Sequence, residues 1–300
     1  MKRILIAFTI ALLLFSFTAP VALAKPSNDK PTPATNVELV KKISLRGKPE
    51  GRGRPARQAA TGVLGTPQCS GDRYALVIGI SDYPGEANDL DFADDDAQAV
   101  YETLTNLYNY DSDNVELLLN NQATYNAIQE EITSIANDAG NGDEVVFYFS
   151  GHGAKGKADD GDKEKVDEAI VCYDGYIWDG DLAGWFSGFN PSVTIVFIFD
   201  TCLSGGMTDL KGSNRVINMA SSENGSAFEG DWGGGHGQFT HYFIIEGMQD
   251  GWADIHDHNE NTDIYEPDDV TIEEAFDYAK NNCWRQSPTI SDGFENDLLP

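Results

Sequence analysis

Cys202 and His152 are the two side chains whose types and surroundings best suit covalent chemistry. An imidazolium beside a thiol lowers the thiol pKa, so the thiolate nucleophile is populated near neutrality. The same ring then protonates a departing amine. Small residues flank both groups: Gly151 and Gly153 bracket the histidine, and Ser204-Gly205-Gly206 follow the cysteine. They leave room for an incoming backbone, and the N–H groups of Gly153 and Cys202 are candidates to hold an oxyanion. Taken singly, a lone cysteine at the end of a strand is more often a buried structural thiol. The other histidines carry less weight. His236 and His241 flank a glycine-rich loop, while His256 and His258 sit in an acidic one.

The surrounding elements must bring these two positions together. Tyr74–Ile80 is a short apolar, β-branched run of the kind found in a strand covered on both faces. Asp94–Leu107 reads as a helix, with Ala97, Val100, Leu104 and Leu107 at helical spacing and Asp94, Asp95 and Asp96 at its favourable N-terminal end. Val115–Leu119 is a second strand. Thr124 then caps a helix with Ile128, Ile132 and Ile135 on its inner stripe, and Gly140 ends it. Val145–Phe149 and Val193–Phe199 are further strands. This alternation predicts an α/β fold with a mostly parallel sheet and helices on both faces. Sites in such sheets form beyond the carboxyl ends of the strands. Here those ends are Ser81-Asp82, Ser150-Gly151-His152-Gly153 and Asp200-Thr201-Cys202. Gly151-His-Gly153-Ala-Lys-Gly156 also matches a dinucleotide fingerprint, but a charged loop follows it where the fingerprint needs a helix.

Composition narrows the partners. The chain has 300 residues and a net charge of −29, so phosphate repulsion excludes nucleic acid as an expected partner. Lys2 and Arg3, the apolar run Ile4–Phe17 and Ala22-Leu23-Ala24 read as a cleavable export signal. The alternative is an uncleaved signal anchor. Residues 25–70 lack apolar periodicity, and their section Lys41–Arg57 carries Lys41, Lys42, Arg46, Lys48, Arg52, Arg54 and Arg57. Such a run is expected to be a solvated, flexible arm. A basic arm on an acidic body can also dock on it, as a propeptide does. In an exported chain Cys69, Cys172, Cys202 and Cys283 have the number for two disulfides, but a catalytic Cys202 leaves at most one. Asp257–Ile264 has part of an EF-hand spacing without its turn glycine, and reads as a solvated acidic loop. Thr271-Ile-Glu-Glu274 is a capping box opening the last helix.

The chain resembles the caspase-like cysteine peptidases, and the metacaspases most of all. The resemblance rests on Ser81-Asp82-Tyr83, Ala93-Asp94-Asp95-Asp96-Ala97, Tyr148-Phe149-Ser150-Gly151-His152-Gly153, Phe199-Asp200-Thr201-Cys202-Leu203-Ser204-Gly205, Gly237-Gln238-Phe239-Thr240 and Gln286-Ser-Pro288-Thr-Ile290. A histidine about fifty residues before the cysteine matches that family's spacing. Leu203 stands where metacaspases commonly have histidine, and the Gln-Ala-Cys and arginine pockets of true caspases are missing. The resemblance implies the caspase-like fold, and a primary pocket of Asp96, Ser150 and Asp200 that selects Arg or Lys before the scissile bond. Two carboxylates in a cleft suit a guanidinium. It also implies calcium as an activator, held by Asp167, Asp179, Asp181 and Asp209, with weak affinity typical of extracellular sites.

These readings converge on a signal peptide at 1–24, a basic propeptide-like segment at 25–70 and a peptidase domain at 71–300. The expected enzyme is a secreted, monomeric endopeptidase that cleaves polypeptides after Arg or Lys and needs no cofactor for its chemistry. No membrane association is expected after signal cleavage. The arginines of the arm would be self-cleavage targets. Two other readings stay open at this point: a related peptidase of different specificity, and an inactive caspase-like binding module.

Overall fold

A computed structural model of the chain describes residues 31–45, 69–160, 165–254, 270–294 and 298–300. The expected export signal, the arm arginines from Arg46 to Arg57 and the EF-hand-like segment lie outside the described residues. Two strands come first, β1 (Ala34–Val40) and β2 (Ile43–Leu45), then β3 (Arg73–Gly79), α1 (Ala93–Glu102), β4 (Val115–Leu119) and α2 (Tyr125–Asp138). β5 (Glu144–Ser150) leads into the meander β6 (Gly153–Ala158), β7 (Asp167–Cys172) and β8 (Gly175–Trp178). Next come α3 (Asp179–Phe186), β9 (Thr194–Asp200), β10 (Arg215–Met219), β11 (Phe228–Gly230) and β12 (His236–Gly237). The chain closes with α4 (Gln238–Thr240), which runs on in wider turns through Gln249, then α5 (Ile272–Asn282) and β13 (Thr289–Asp292).

Six strands form the central sheet in the order β13-β10-β9-β5-β3-β4. All its pairings are parallel except that of β13 with β10. Its middle strands are apolar throughout because both faces are covered. Phe147, Phe149, Phe197 and Phe199 pack on one side against Ile128 and Ile132 of α2 and Phe186 of α3. Val146, Tyr148, Val196 and Ile198 pack on the other side against Val100 of α1 and Phe276 of α5. Successive residues therefore serve opposite cores, as a two-residue period requires.

Local signals account for the helix ends. The Thr124 hydroxyl accepts the Ala127 N–H at 3.2 Å, and Thr271 with Glu274 forms the expected capping box. The predicted helix from Asp94 begins at Ala93, but its regular turns stop at Glu102 and widen through Leu107. A strand not expected from the sequence precedes the charged loop of residues 157–165 and takes in its first two residues. Residues 153–158 form β6, which pairs with β1 and β7 in an antiparallel sheet of order β1-β6-β7-β8. Of the expected solvated arm Lys41–Arg57 only residues 41–45 are described, and there the expectation is corrected: Lys42 is buried and 43–45 form a strand, preceded by the strand 34–40. β2 joins β11 and β12 in a third, small sheet. No helix among the described residues is long and apolar enough to cross a membrane.

Candidate active site

The register of the central sheet places Gly79 beside Ser150, and Ser150 beside Asp200. The loops after β5 and β9 therefore leave from adjacent strands at one edge, and they carry His152 and Cys202. The turn after β9 is tight: Leu203 adopts a left-handed backbone, φ 64°, which a branched residue takes up at some energetic cost. Gly153 has no room for a side chain, because a Cβ there would lie 2.2 Å from the Cys202 carbonyl oxygen. Its N–H belongs to β6, next to the cysteine backbone that the sequence pairs with it for an oxyanion.

His152 is held on three sides. Its ring stacks on Tyr83 at 4.8 Å between centroids. Its backbone N–H donates to Tyr83 Oη at 3.0 Å, and that hydroxyl donates to the Val171 carbonyl. Nε2 lies 2.8 Å from the Asn88 carbonyl, while Nδ1 accepts the Lys42 N–H at 3.1 Å. With Nδ1 accepting, the ring proton sits on Nε2 and the imidazole is neutral. Burial lowers the His152 pKa to about 4; the Asn88 hydrogen bond opposes that, and the charges of Lys42 and Lys41 add to it. Cys202 Sγ accepts the Ala227 N–H at 3.1 Å and lies 3.4 Å from the Lys41 carbonyl oxygen. Burial raises its thiol pKa, opposed by the Ala227 hydrogen bond and by Lys42. One peptide unit, Lys41–Lys42, thus touches both groups of the pair, and both are in their uncharged forms.

The acidic pocket forms beside them, and it is filled by the chain itself. Lys42, with a fully buried side chain, places Nζ 3.0 Å from Asp200 Oδ1, 3.7 Å from Asp96 Oδ2 and 3.0 Å from Ser150 Oγ. Ser150 in turn donates to Asp96 Oδ2 at 2.8 Å. Burial alone would lower the Lys42 pKa, but the attraction of Asp200, Asp96 and Glu229 outweighs it and raises the ammonium above its usual value. All three residues expected in the pocket are therefore brought together around one cation.

Several contributors were not singled out as site residues from the sequence. Asp96 is oriented by the Gly237 N–H at 3.0 Å and by His236 Nδ1 at 3.1 Å. Asp200 Oδ2 accepts both the N–H and the hydroxyl of Thr240. Gly237 is required there, since a Cβ would lie 2.1 Å from Asp200 Oδ2 and 2.8 Å from Lys42 Nζ. Gly237 and Thr240 stand in the Gly237-Gln-Phe-Thr240 segment of the resemblance, so that segment was the signal. Glu229 and Lys42 carried no comparable one.

The expected calcium ligands behave differently. Asp167 is buried and accepts the Ala158 N–H at 2.8 Å, and Asp181 accepts the Thr32 hydroxyl at 2.5 Å. Asp179 and Asp181 lie in the first turn of α3, and Asp209 lies in the helical turns after Cys202. Among the described residues no three acidic, histidine or cysteine side chains form a group able to hold a metal, so the four do not make the expected donor set. None of the four cysteines is disulfide-bonded. Burial raises the pKa of Cys172 to about 12 and of Cys69 to about 11, which leaves both as protonated thiols.

Residues 72–275 match the caspase domain family. The chain belongs to the caspase family. Within this family of cysteine-type peptidases it is similar to metacaspase-1 of Saccharomyces cerevisiae, at 30% identity over 212 residues, 65% of this chain and 48% of that protein. It is similar also to metacaspase-1 of Kluyveromyces lactis, at 33% over 157 residues (48% of this chain, 36% of the relative), and to metacaspase-4 of Arabidopsis thaliana, at 30% over 145 residues (46% and 34%). The caspase-family chain thus spans between a third and a half of these curated relatives. A crystal structure of a Geobacter sulfurreducens protein shares its fold, with a TM-score of 0.56 and 16% identity over 77% of this chain and 97% of that one.

Proposed function

We propose that this caspase-family chain is an exported cysteine endopeptidase that cleaves after Arg or Lys and is held inactive by its own Lys42. The observation that carries the reading is a buried ammonium seated on Asp96, Ser150 and Asp200, directly beside Cys202 and His152. A pocket that retains a lysine suits a basic residue before the scissile bond, and a guanidinium adds bidentate geometry. With Lys42 withdrawn, water reaches the cleft and the penalty on the ionised pair falls, so proton transfer from Cys202 to His152 Nδ1 gives thiolate and imidazolium. The Asn88 carbonyl keeps Nε2 anchored and leaves Nδ1 on the Lys41–Lys42 peptide unit, whose carbonyl meets Cys202 Sγ, so withdrawal of that unit frees Nδ1 and Sγ together.

In this mechanism the thiolate adds to the carbonyl carbon of the pocket residue, and the oxyanion is met by the N–H groups of Gly153 and Cys202. Imidazolium donates its proton to the leaving amine, which gives a thioester. The imidazole then takes a proton from water, which hydrolyses the thioester and frees the acid and the thiol. No metal enters these steps. Export rests on the Lys2–Ala24 pattern, and release of the N-terminal segment by cleavage at its arginines completes the zymogen reading. The test is hydrolysis of Arg-ended, Lys-ended and Asp-ended reporter peptides by the full chain, with Cys202→Ala and His152→Ala as controls. Preference for Asp, or turnover that survives Cys202→Ala, refutes the reading.

A further inference from the structure

The contacts of β2 fix the direction in which the occupying segment crosses the cleft. Cys202 and His152 face the chain just before Lys42, through the Lys41 carbonyl and the Lys42 N–H. The chain after Lys42 leads away from the pair along β11. There the Ile43 N–H donates to the Ala227 carbonyl at 3.0 Å, and β2 runs parallel to β11 with Ser44 opposite Glu229. Cleavage after a pocket residue needs the reverse arrangement: that residue's own carbonyl carbon at Sγ and the following nitrogen at the imidazole. A substrate therefore crosses in the opposite sense to Lys42, and the residues preceding its pocket side chain lie against β11. The same reversal keeps the Lys42–Ile43 bond away from Sγ, and the peptide unit that meets Sγ and the imidazole is Lys41–Lys42.

Side chains alternate along an extended chain, so residues 42 and 44 share one side. Lys42 is buried, while Ser44 stays exposed at the rim, as does Ile43 at 42%, with the Ser44 hydroxyl turned toward Glu229. Ser44 Oγ donates to Glu229 Oε1 at 2.5 Å, and the Asp91 N–H donates to the same oxygen at 3.0 Å. Glu229 is fully buried, and its Oε2 has no hydrogen-bond partner among the described residues. A small hydroxyl thus occupies a seat whose carboxylate has a second oxygen to satisfy. One ammonium, that of Lys42, faces Asp96, Asp200 and Glu229, and His236 is the other basic group on Asp96. A second cation in the Ser44 seat corrects this imbalance.

We propose that Glu229 is a specificity-determining residue that selects a basic side chain two positions before the residue in the Asp96–Asp200 pocket. The preferred substrate is a basic-x-basic segment cleaved after its second basic residue. The proposal rests on the reading of the chain as a peptidase that cuts after Arg or Lys. The residue between the two basic positions points to solvent and is not selected.

The test compares fluorogenic Lys-Gly-Arg, Ala-Gly-Arg and Glu-Gly-Arg peptides on the full chain carrying Lys42→Ala, and on the unaltered chain with peptide in excess. The expected result is a kcat/KM about tenfold higher for Lys-Gly-Arg than for Ala-Gly-Arg, the size of one charge-assisted hydrogen bond, with Glu-Gly-Arg slowest. Glu229→Gln, which keeps the shape of the side chain, is expected to bring the Lys/Ala ratio close to one. Equal rates on Lys-Gly-Arg and Ala-Gly-Arg overturn the proposal while the Arg reading stands, and so does a ratio unchanged in Glu229→Gln. Absence of turnover on every Arg peptide overturns both.

Discussion

Replacing Lys42 by alanine removes the group that fills the pocket, and its effect can be worked from the contacts. Nζ makes two close polar contacts, to Asp200 Oδ1 and Ser150 Oγ, both at 3.0 Å, and a longer one to Asp96. Hydrogen bonds to charged groups contribute roughly 1.5–3 kcal/mol each, so the two close contacts hold the segment down by about 3 kcal/mol at the lower end. Each 1.4 kcal/mol is a factor of ten, so opening becomes roughly 150-fold easier in Lys42→Ala. The carboxylates left behind face a cleft that water can now enter, so the variant avoids most of the cost of stranding buried charges. The assay is steady-state hydrolysis of an Arg-ended reporter by equal amounts of folded full-length protein, checked by circular dichroism. Lys42→Ala is expected to be about a hundredfold more active than the unaltered chain, and Lys42→Arg, which keeps a cation in the pocket, is expected to stay low. Equal activity in all three, or a Lys42→Ala chain less active than the unaltered one, refutes the claim that Lys42 holds the enzyme off.

Two further predictions concern the pocket and the core. Gly237→Ala puts a methyl group against Asp200 and the seat of the cation, and overpacking of this kind costs about 1–3 kcal/mol; the Arg reporter rate in a Lys42→Ala background is expected to fall about 10- to 100-fold, and an unchanged rate contradicts the pocket geometry. Glu144 is buried against Tyr110, and burial raises its pKa to about 7, opposed by the Tyr110 hydrogen bond and by Arg73. The folded chain therefore keeps a proton that the unfolded chain releases near 4.5, so this group's contribution is full below about 4.5 and is lost as pH rises through about 7. Glu144→Gln is expected to flatten the fall in Tm over that window, and a fall identical to that of the unaltered chain contradicts it.

The framework of the site was legible because the parallel strands are covered on both sides. Short, β-branched and aromatic apolar runs such as Val145–Phe149 read as central strands, and each ends on the residues that form the site: Ser150 and His152 in one case, Asp200 and Cys202 in the other. The Thr124 and Thr271 caps were equally plain, since capping is decided within four residues. The Lys42 plug was not legible. A lysine in a basic run is solvated unless distant carboxylates bury it, and its partners Asp96, Ser150 and Asp200 come from three other elements. β6 was hidden for a related reason. Gly153-Ala-Lys-Gly-Lys-Ala158 has no apolar run, because in the described structure it serves mainly as backbone for β1 and β7 to pair with. Glu229 carries no signal of its own in the sequence, because its role depends on β2 lying opposite it.

The central claim is that Cys202 and His152 cut polypeptides after a basic residue once Lys42 leaves the pocket. The measurement that tests it most directly is mass-spectrometric mapping of the bonds cut in an unstructured polypeptide by the full chain carrying Lys42→Ala, beside the double variant Lys42→Ala, Cys202→Ala. The account predicts cuts after Arg and Lys with the first protein and none with the second. Cuts after acidic residues, or the same cuts by both proteins, would contradict it.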